Sequence, residues 1–290
     1  MSGTESREDS VRETELHEEA RAADGGEETE LNGGAPAQDG GQESPAGEGA
    51  VRMRHVVSYV RREGRLTRGQ SRALEDLWPE YGIPYREEML DLPQIFGREC
   101  PVIFEIGFGM GRSFLDMAQA ESCAGFLGTE VHRPGIGACL MGIRCRFLTN
   151  VRVMDHDAVE ILKNMIPENS LSRIQVFFPD PWSKKKHHKR RLIQKDFLEL
   201  AASRLIPGGR IHMATDWQEY AESMRDTGNA CPMLRNLSAT GDYVPRPAER
   251  PLTKFEERGL RLGHGVWDLI FERICRQEGA VRVTDGRKVL

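Results

Sequence analysis

The chain has 290 residues and a formal charge of −5, but its charge is unevenly distributed. Residues 1–50 hold 14 acidic and 3 basic residues, a net of −11, which leaves +6 for residues 51–290. No run approaches the roughly 20 apolar residues that a membrane helix requires, and the six cysteines show no Cys-x-x-Cys spacing, which argues against a zinc ribbon or a disulfide framework.

The first fifty residues carry nine glycines and almost no large apolar side chains. Such a segment buries too little surface to offset its ordering entropy, so 1–50 is expected to be a disordered acidic tail. It lacks the basic start and apolar centre of a signal peptide. Residues 51–290 suit one α/β domain, and the thiols suit a reduced, cytoplasmic setting. Residues 52–72 contain seven arginines and one acid, Glu63, which reads as a solvated arm or helix face, or as a second phosphate-contacting patch. Pro79, Gly82, Pro84 and Pro93 then predict an irregular connection.

Val102–Ile106 reads as a strand buried on both faces. Gly107, Gly109 and Gly111 form the turn after it, and a helix is expected from Ser113. Phe126–Thr129 is the next predicted strand, ending at Glu130, and Arg133–Phe147 the next helix. Val151–Met154 is a third strand, ending near Asp155 and Asp157, with a helix over 158–166. Ile174–Phe178 is a fourth strand. Leu192–Ile206 has helical spacing, Pro207-Gly208-Gly209 ends it, and Arg210–Met213 begins a fifth strand. Val266–Ile274 is a late strand. This alternation predicts a parallel sheet with helices on both faces, whose ligands bind outside the carboxyl ends of the strands.

The glycine turn is Gly-x-Gly-x-Gly, not the Gly-x-Gly-x-x-Gly of the dinucleotide fingerprint. Glu105 stands two residues before it, where a pyrophosphate would be repelled. That suits a cofactor with a cationic or zwitterionic end, such as S-adenosylmethionine. Glu130 is placed to accept ribose hydroxyls, and Asp157 either faces the adenine or caps a helix. Asp180 follows the fourth strand in Phe-Phe-Pro-Asp-Pro-Trp (177–182). Pro179 and Pro181 fix its backbone. Lys184, Lys185, Lys186, His187, His188, Lys189, Arg190 and Arg191 come next, as a phosphate-binding run should.

Phe-Phe-Pro-Asp-Pro-Trp followed by Lys-x-x-His-x-Lys-Arg-Arg resembles the tRNA (guanine-N7-)-methyltransferase family. The resemblance includes Glu-Ile-Gly-Phe-Gly-Met-Gly (105–111), Gly-Thr-Glu-Val-His (128–132), Ala-Thr-Asp-Trp (214–217), Thr-Lys-Phe-Glu (253–256) and Gly-His-Gly-Val-Trp-Asp-Leu (263–269), over roughly residues 50–275. It implies a Rossmann-like class I methyltransferase fold with a mostly parallel seven-stranded sheet, and methylation of guanine 46 in the tRNA variable loop. By resemblance Glu105, Gly107, Gly109, Gly111, Glu130, Asp157 and Asp180 would hold S-adenosylmethionine, with Asp180 also catalytic. Lys184, Asp216, Thr253, Lys254, Phe255 and Glu256 would hold the base, and Lys186–Arg191 the RNA. No metal, membrane or obligate protein partner is expected, and the chain would act as a monomer or homodimer. The Pro-Asp-Pro-Trp segment is also similar to the Asp-Pro-Pro-Tyr loop of adenine-N6 methyltransferases, which makes those the nearest rival. A purely RNA-binding protein would leave the glycine turn and strand-end acids idle.

Overall fold

The computed structural model describes residues 64–253, 256 and 265–275. The acidic tail 1–50, Arg52, Arg54, Arg61 and Arg62, and the candidate residues Lys254 and Phe255 lie outside the described residues.

The run Val-Ile-Phe-Glu-Ile forms β1 (Val102–Ile106), all five residues buried. Its neighbours are β2 (Gly125–Thr129) and β4 (Leu171–Phe177), both parallel to it. β3 (Val151–Met154) extends the sheet beyond β2. β5 (Leu205–Thr215), β7 (Trp267–Arg273) and β6 (Leu234–Asn236) complete it on the other side. The order is β3-β2-β1-β4-β5-β7-β6, with the β5–β7 and β7–β6 pairs antiparallel. This is the mostly parallel seven-stranded sheet that the family resemblance implied. Strand order reverses between β1 and β4, so a ligand crevice opens at their carboxyl ends.

Helices cover both faces. α1 (Arg68–Asp76), α4 (Arg112–Ala120) and α5 (Arg133–Cys145) share one core, which includes Ala73, Phe114, Phe126, Ile136 and Leu140. α6 (Ala158–Asn164), α7 (Lys195–Arg204) and α8 (Gln218–Ala230) share the other, with Phe104, Leu162, Leu198, Met213 and Met224. None of the described helices is long and apolar enough to cross a membrane.

Within the arginine-rich stretch, residues from Arg68 form α1, in line with the helix-face reading, because Thr67 and Gln70 make a reciprocal capping box. Two regions differ from the sequence expectations. The supposedly irregular connection holds α2 (Trp78–Tyr81) and α3 (Leu92–Phe96), with Pro79 and Pro93 in their opening positions, where proline's missing N–H costs nothing. Pro207-Gly208-Gly209 does not separate helix from strand. β5 begins at Leu205, and the segment bulges outward with Gly208 at φ +80° and a register shift between Leu171 and Arg173 of β4.

Candidate active site

The turn after β1 needs its glycines. Gly107, Gly109 and Gly111 have φ of +75°, +58° and +82°, a left-handed region that L side chains rarely adopt. A Cβ on Gly107 or Gly109 would point into open space, whereas one on Gly111 would strike Cys139 at 2.8 Å. The first two glycines therefore leave their face clear for a ligand, and the third lets α5 pack.

Glu130 braces this turn. Its Oε2 accepts the Gly109 amide at 2.8 Å, and its Oε1 accepts the Val131 and His132 amides at 2.7 and 3.0 Å. Gly135 completes the brace, since a Cβ there would lie 2.3 Å from the Gly109 carbonyl oxygen. Gly135→Ala must therefore displace the turn. Overpacking of this kind costs about 1–3 kcal/mol, and the cost should appear as weaker cofactor affinity in calorimetry with tRNA affinity unchanged.

Glu105 is 3% exposed, and its Oε2 has no hydrogen-bond partner. Burial pushes its carboxyl up to about 8, against the opposing pull of the Arg173 cation. Glu105 and Glu130 both act electrostatically on the Cys139 thiol, so both lie toward α5. An orphaned buried carboxylate beside an open glycine turn fits a ligand with a cationic end. Asp157 is the N-cap of α6, its Oδ1 accepting the Val159 and Glu160 amides at 2.9 and 3.0 Å. The capping reading thus holds, and it fixes Asp157 at the carboxyl end of β3. These residues fit S-adenosylmethionine.

Because burial raises the Glu105 carboxyl to about 8, pairing it with a cation should lower it again and release a proton near neutral pH. Calorimetry of cofactor binding in buffers of different ionisation enthalpy reads that proton, and Glu105→Gln should abolish the release. The raised carboxyl also makes the ligand-free protein lose stability as pH climbs from the ordinary carboxyl range through about 8.

Asp180 is exposed, three residues past β4. Its turn is strained: Phe178 and Trp182, both non-glycine, have φ of +52° and +44°. Phe178 is anchored by its amide to the Ala214 carbonyl at 2.8 Å. The Arg190 guanidinium lies 5.1 Å from the Trp182 ring centre. Lys185–Arg190 form a 3₁₀ turn with Lys184 at its start, and Lys184, Lys185, Lys186, Lys189 and Arg190 are exposed. Desolvation, then the charges of Arg190, Lys186, Lys184 and Lys189, hold the His187 imidazole below its usual range. It therefore offers hydrogen bonds at neutral pH rather than charge.

Two residues of the candidate set sit elsewhere than expected. Arg191, expected on RNA, has a side chain only 4% exposed, bonded to the Pro181 carbonyl and to Glu219. Glu256, expected on substrate, is buried with both oxygens on Arg250, at 2.7 and 2.8 Å. Its spacing from Thr253 is that of a capping box, with the Glu256 amide donating to Thr253 Oγ1 at 3.1 Å. Asp216 and Thr253 remain accessible. Asp216 follows β5 directly and so neighbours the Asp180 turn across the β4–β5 pair.

A family model described as "Putative methyltransferase" matches residues 99–269. The tRNA (guanine-N(7)-)-methyltransferase of Pseudoalteromonas atlantica is 55% identical over 230 residues, covering 79% of this chain and 96% of that protein. The protein of the same name from Escherichia coli is 58% identical over 222 residues, covering 77% and 93%. The chain belongs to the tRNA (guanine-N7-)-methyltransferase family. A solved 16S rRNA methyltransferase, KamB, aligns at 13% identity and a TM-score of 0.48, over 65% of this chain and 95% of that one.

For a tRNA (guanine-N7-)-methyltransferase, the residues beneath the site are as informative as those within it. Arg250 is fully buried, with Nε and Nη2 on Asp268 at 2.8 and 2.9 Å. Asp268 also takes the His212 ring at 2.7 Å. The Arg250 guanidinium lies 5.7 and 5.8 Å from the Phe177 and Phe178 rings. This cluster joins the Asp180 turn, β5, β7 and the Thr253 segment. Sequence reasoning missed Arg250, His212, Asp268 and Glu219. Asp268 was visible inside the Gly-His-Gly-Val-Trp-Asp-Leu motif, but nothing marked the other three.

Proposed function

We propose that Asp180 and Asp216 hold guanine 46 of the tRNA variable loop, the base whose N7 this enzyme methylates, and that Glu105, Glu130, Asp157 and the turn at Gly107, Gly109 and Gly111 hold the methyl donor. The observation that carries this reading is the pairing of β1 with β4, which sets the glycine turn beside the exposed, strained Asp180 turn. S-adenosylmethionine supplies an electrophilic methyl group on a sulfonium. Guanine N7 carries a lone pair and no proton, so the residues need not remove one. Their work is alignment, which is worth several kcal/mol, up to roughly 7–11 in ideal cases.

Guanine presents N1–H and an amino group on its other edge, both donors. A carboxylate, Asp180 or Asp216, is the matching acceptor and selects guanine over adenine. The methylated base is cationic, and the same carboxylate stabilises that charge as it develops. Thr253 and Lys184, both accessible, are the further described residues that the family resemblance assigns to the substrate. All of these groups come from one chain, so a monomer suffices and a homodimer is compatible. A tRNA substrate suits the cytoplasm.

The exposed cations Lys184, Lys185, Lys186, Lys189 and Arg190 neutralise tRNA phosphates. Reversing Lys184, Lys185, Lys186 and Lys189 to glutamate should flatten the dependence of log K on log salt by roughly 0.7–0.9 per lost contact. Filter binding across a salt series checks this, and an unchanged slope would refute the role.

A further inference from the structure

Arg191 closes the most basic stretch of the chain, yet its geometry is unlike that of a phosphate ligand. Its Nε donates to the Pro181 carbonyl at 2.8 Å. Its Nη1 and Nη2 reach Glu219 Oε1 and Oε2 at 3.4 and 3.2 Å, and Nη2 also meets His188 Nε2 at 3.1 Å. The guanidinium lies 4.7 Å from the ring centre of Tyr220, a wholly buried residue whose hydroxyl accepts the Ile193 amide at 3.1 Å. The planar fork is therefore engaged along its length, and a side chain that is 4% exposed presents almost no surface to RNA.

Its partners belong to the two acid-bearing turns. Pro181 sits between Asp180 and Trp182, and Trp182 is held at φ +44°. A bulky residue in that region is strained and persists only where its surroundings hold it. Glu219 lies in the first turn of α8, the helix that starts two residues after Asp216. Glu219 also bonds the Trp217 side chain, and Arg191 holds its carboxyl below the usual range.

We propose that Arg191 and Glu219 form a clamp that sets the spacing between the Asp180 and Asp216 turns. Arg191 is then a positioning residue for methyl transfer and not a contact to tRNA. The inference rests on the reading of those two aspartates as the base-holding pair.

The variants Arg191→Lys, Arg191→Gln and Glu219→Gln separate the two roles, with Asp180→Ala measured in parallel. Single-turnover rates at saturating tRNA and S-adenosylmethionine report alignment, and tRNA binding across a salt series reports phosphate contact. Arg191→Lys keeps the charge but loses the fork. A misplacement of about 1 Å costs on the order of 100-fold, so its rate should fall roughly 10- to 100-fold with the salt slope unchanged. Glu219→Gln should slow the step in the same direction, again with tRNA affinity within about 2-fold. Glu219 is 54% exposed, so this variant carries the test if Arg191→Gln fails to fold.

The proposal is overturned if Arg191→Lys and Glu219→Gln turn over at the wild-type rate while Arg191→Gln flattens the slope by roughly 0.7–0.9. In that case an inactive Asp180→Ala would leave the base-site reading standing. An active Asp180→Ala would remove that reading and the clamp with it.

Discussion

Asp180→Ala should cut single-turnover methyl transfer at least roughly 100-fold, the scale expected when a group aligned on the developing charge is lost. S-adenosylmethionine affinity should change little, because the glycine turn is braced by Glu130 and Gly135 rather than by Asp180. Rapid-quench kinetics with labelled cofactor, paired with calorimetry, measures both. Asp180→Asn distinguishes charge from shape. Its amide is isosteric, but one of its two positions donates where guanine needs acceptors, so it should remain slow. A rate for Asp216→Ala near that of Asp180→Ala would show that both carboxylates face the base. A fall confined to tRNA KM would leave Asp180 as the group that acts in the transition state. Wild-type turnover by Asp180→Ala would sink the assignment.

Arg250→Met should destabilise the domain by about 3–5 kcal/mol, the usual cost of removing one partner from a buried ion pair. Arg250 is the sole described cation bonded to both Asp268 and Glu256, and its loss leaves Asp268 with the His212 ring and Glu256 with the more distant Arg246. For a domain of this size the midpoint should drop by roughly 2–4 °C per kcal/mol, a change of about 10 °C in a thermal melt. The pH dependence follows from Asp268. Burial alone would raise its carboxyl, but hydrogen bonds from His212 and Arg250, with their charges, outweigh burial and hold it below the ordinary value. A depressed carboxyl contributes stability above its unfolded pKa and loses it as pH falls through the folded one. Without Arg250 the carboxyl rises, so acid unfolding should begin at higher pH. Equal acid midpoints for the two proteins would contradict this account of the cluster. The same variant frees Phe177 and Phe178 beneath the Asp180 turn, so residual activity should fall further than stability alone explains.

Much of the parallel sheet was legible because its strands are short, continuously apolar and bounded by turn residues. β1 and β3 begin and end where hydrophobicity predicted. The strand-end acids were legible for the same reason, since a buried strand that stops at a carboxylate marks the sheet's carboxyl edge. What escaped was set by tertiary contact or by the dual meaning of proline. Pro79 and Pro93 open helices, and sequence spacing alone read them as breaks. Arg191 and Arg190 are adjacent cations of equal basicity, yet one is buried and the other exposed. Only the approach of α8, carrying Glu219, separates them. The Thr253–Glu256 spacing is both part of the family's substrate motif and the sequence signature of a capping box. Arg250 gave no signal because its partners, Asp268 and Glu256, are distant or hidden in another motif.

If the Asp180 and Asp216 turns share the base site, the methyl group reaches N7 of one guanine without proton removal. Unmodified tRNA incubated with the full chain and S-adenosylmethionine, then digested and mapped by mass spectrometry, tests it most directly. The expected result is 7-methylguanosine as the sole new nucleoside, located at guanine 46 of the variable loop. Methylation of an adenine N6, or of guanine at another ring position, would contradict it.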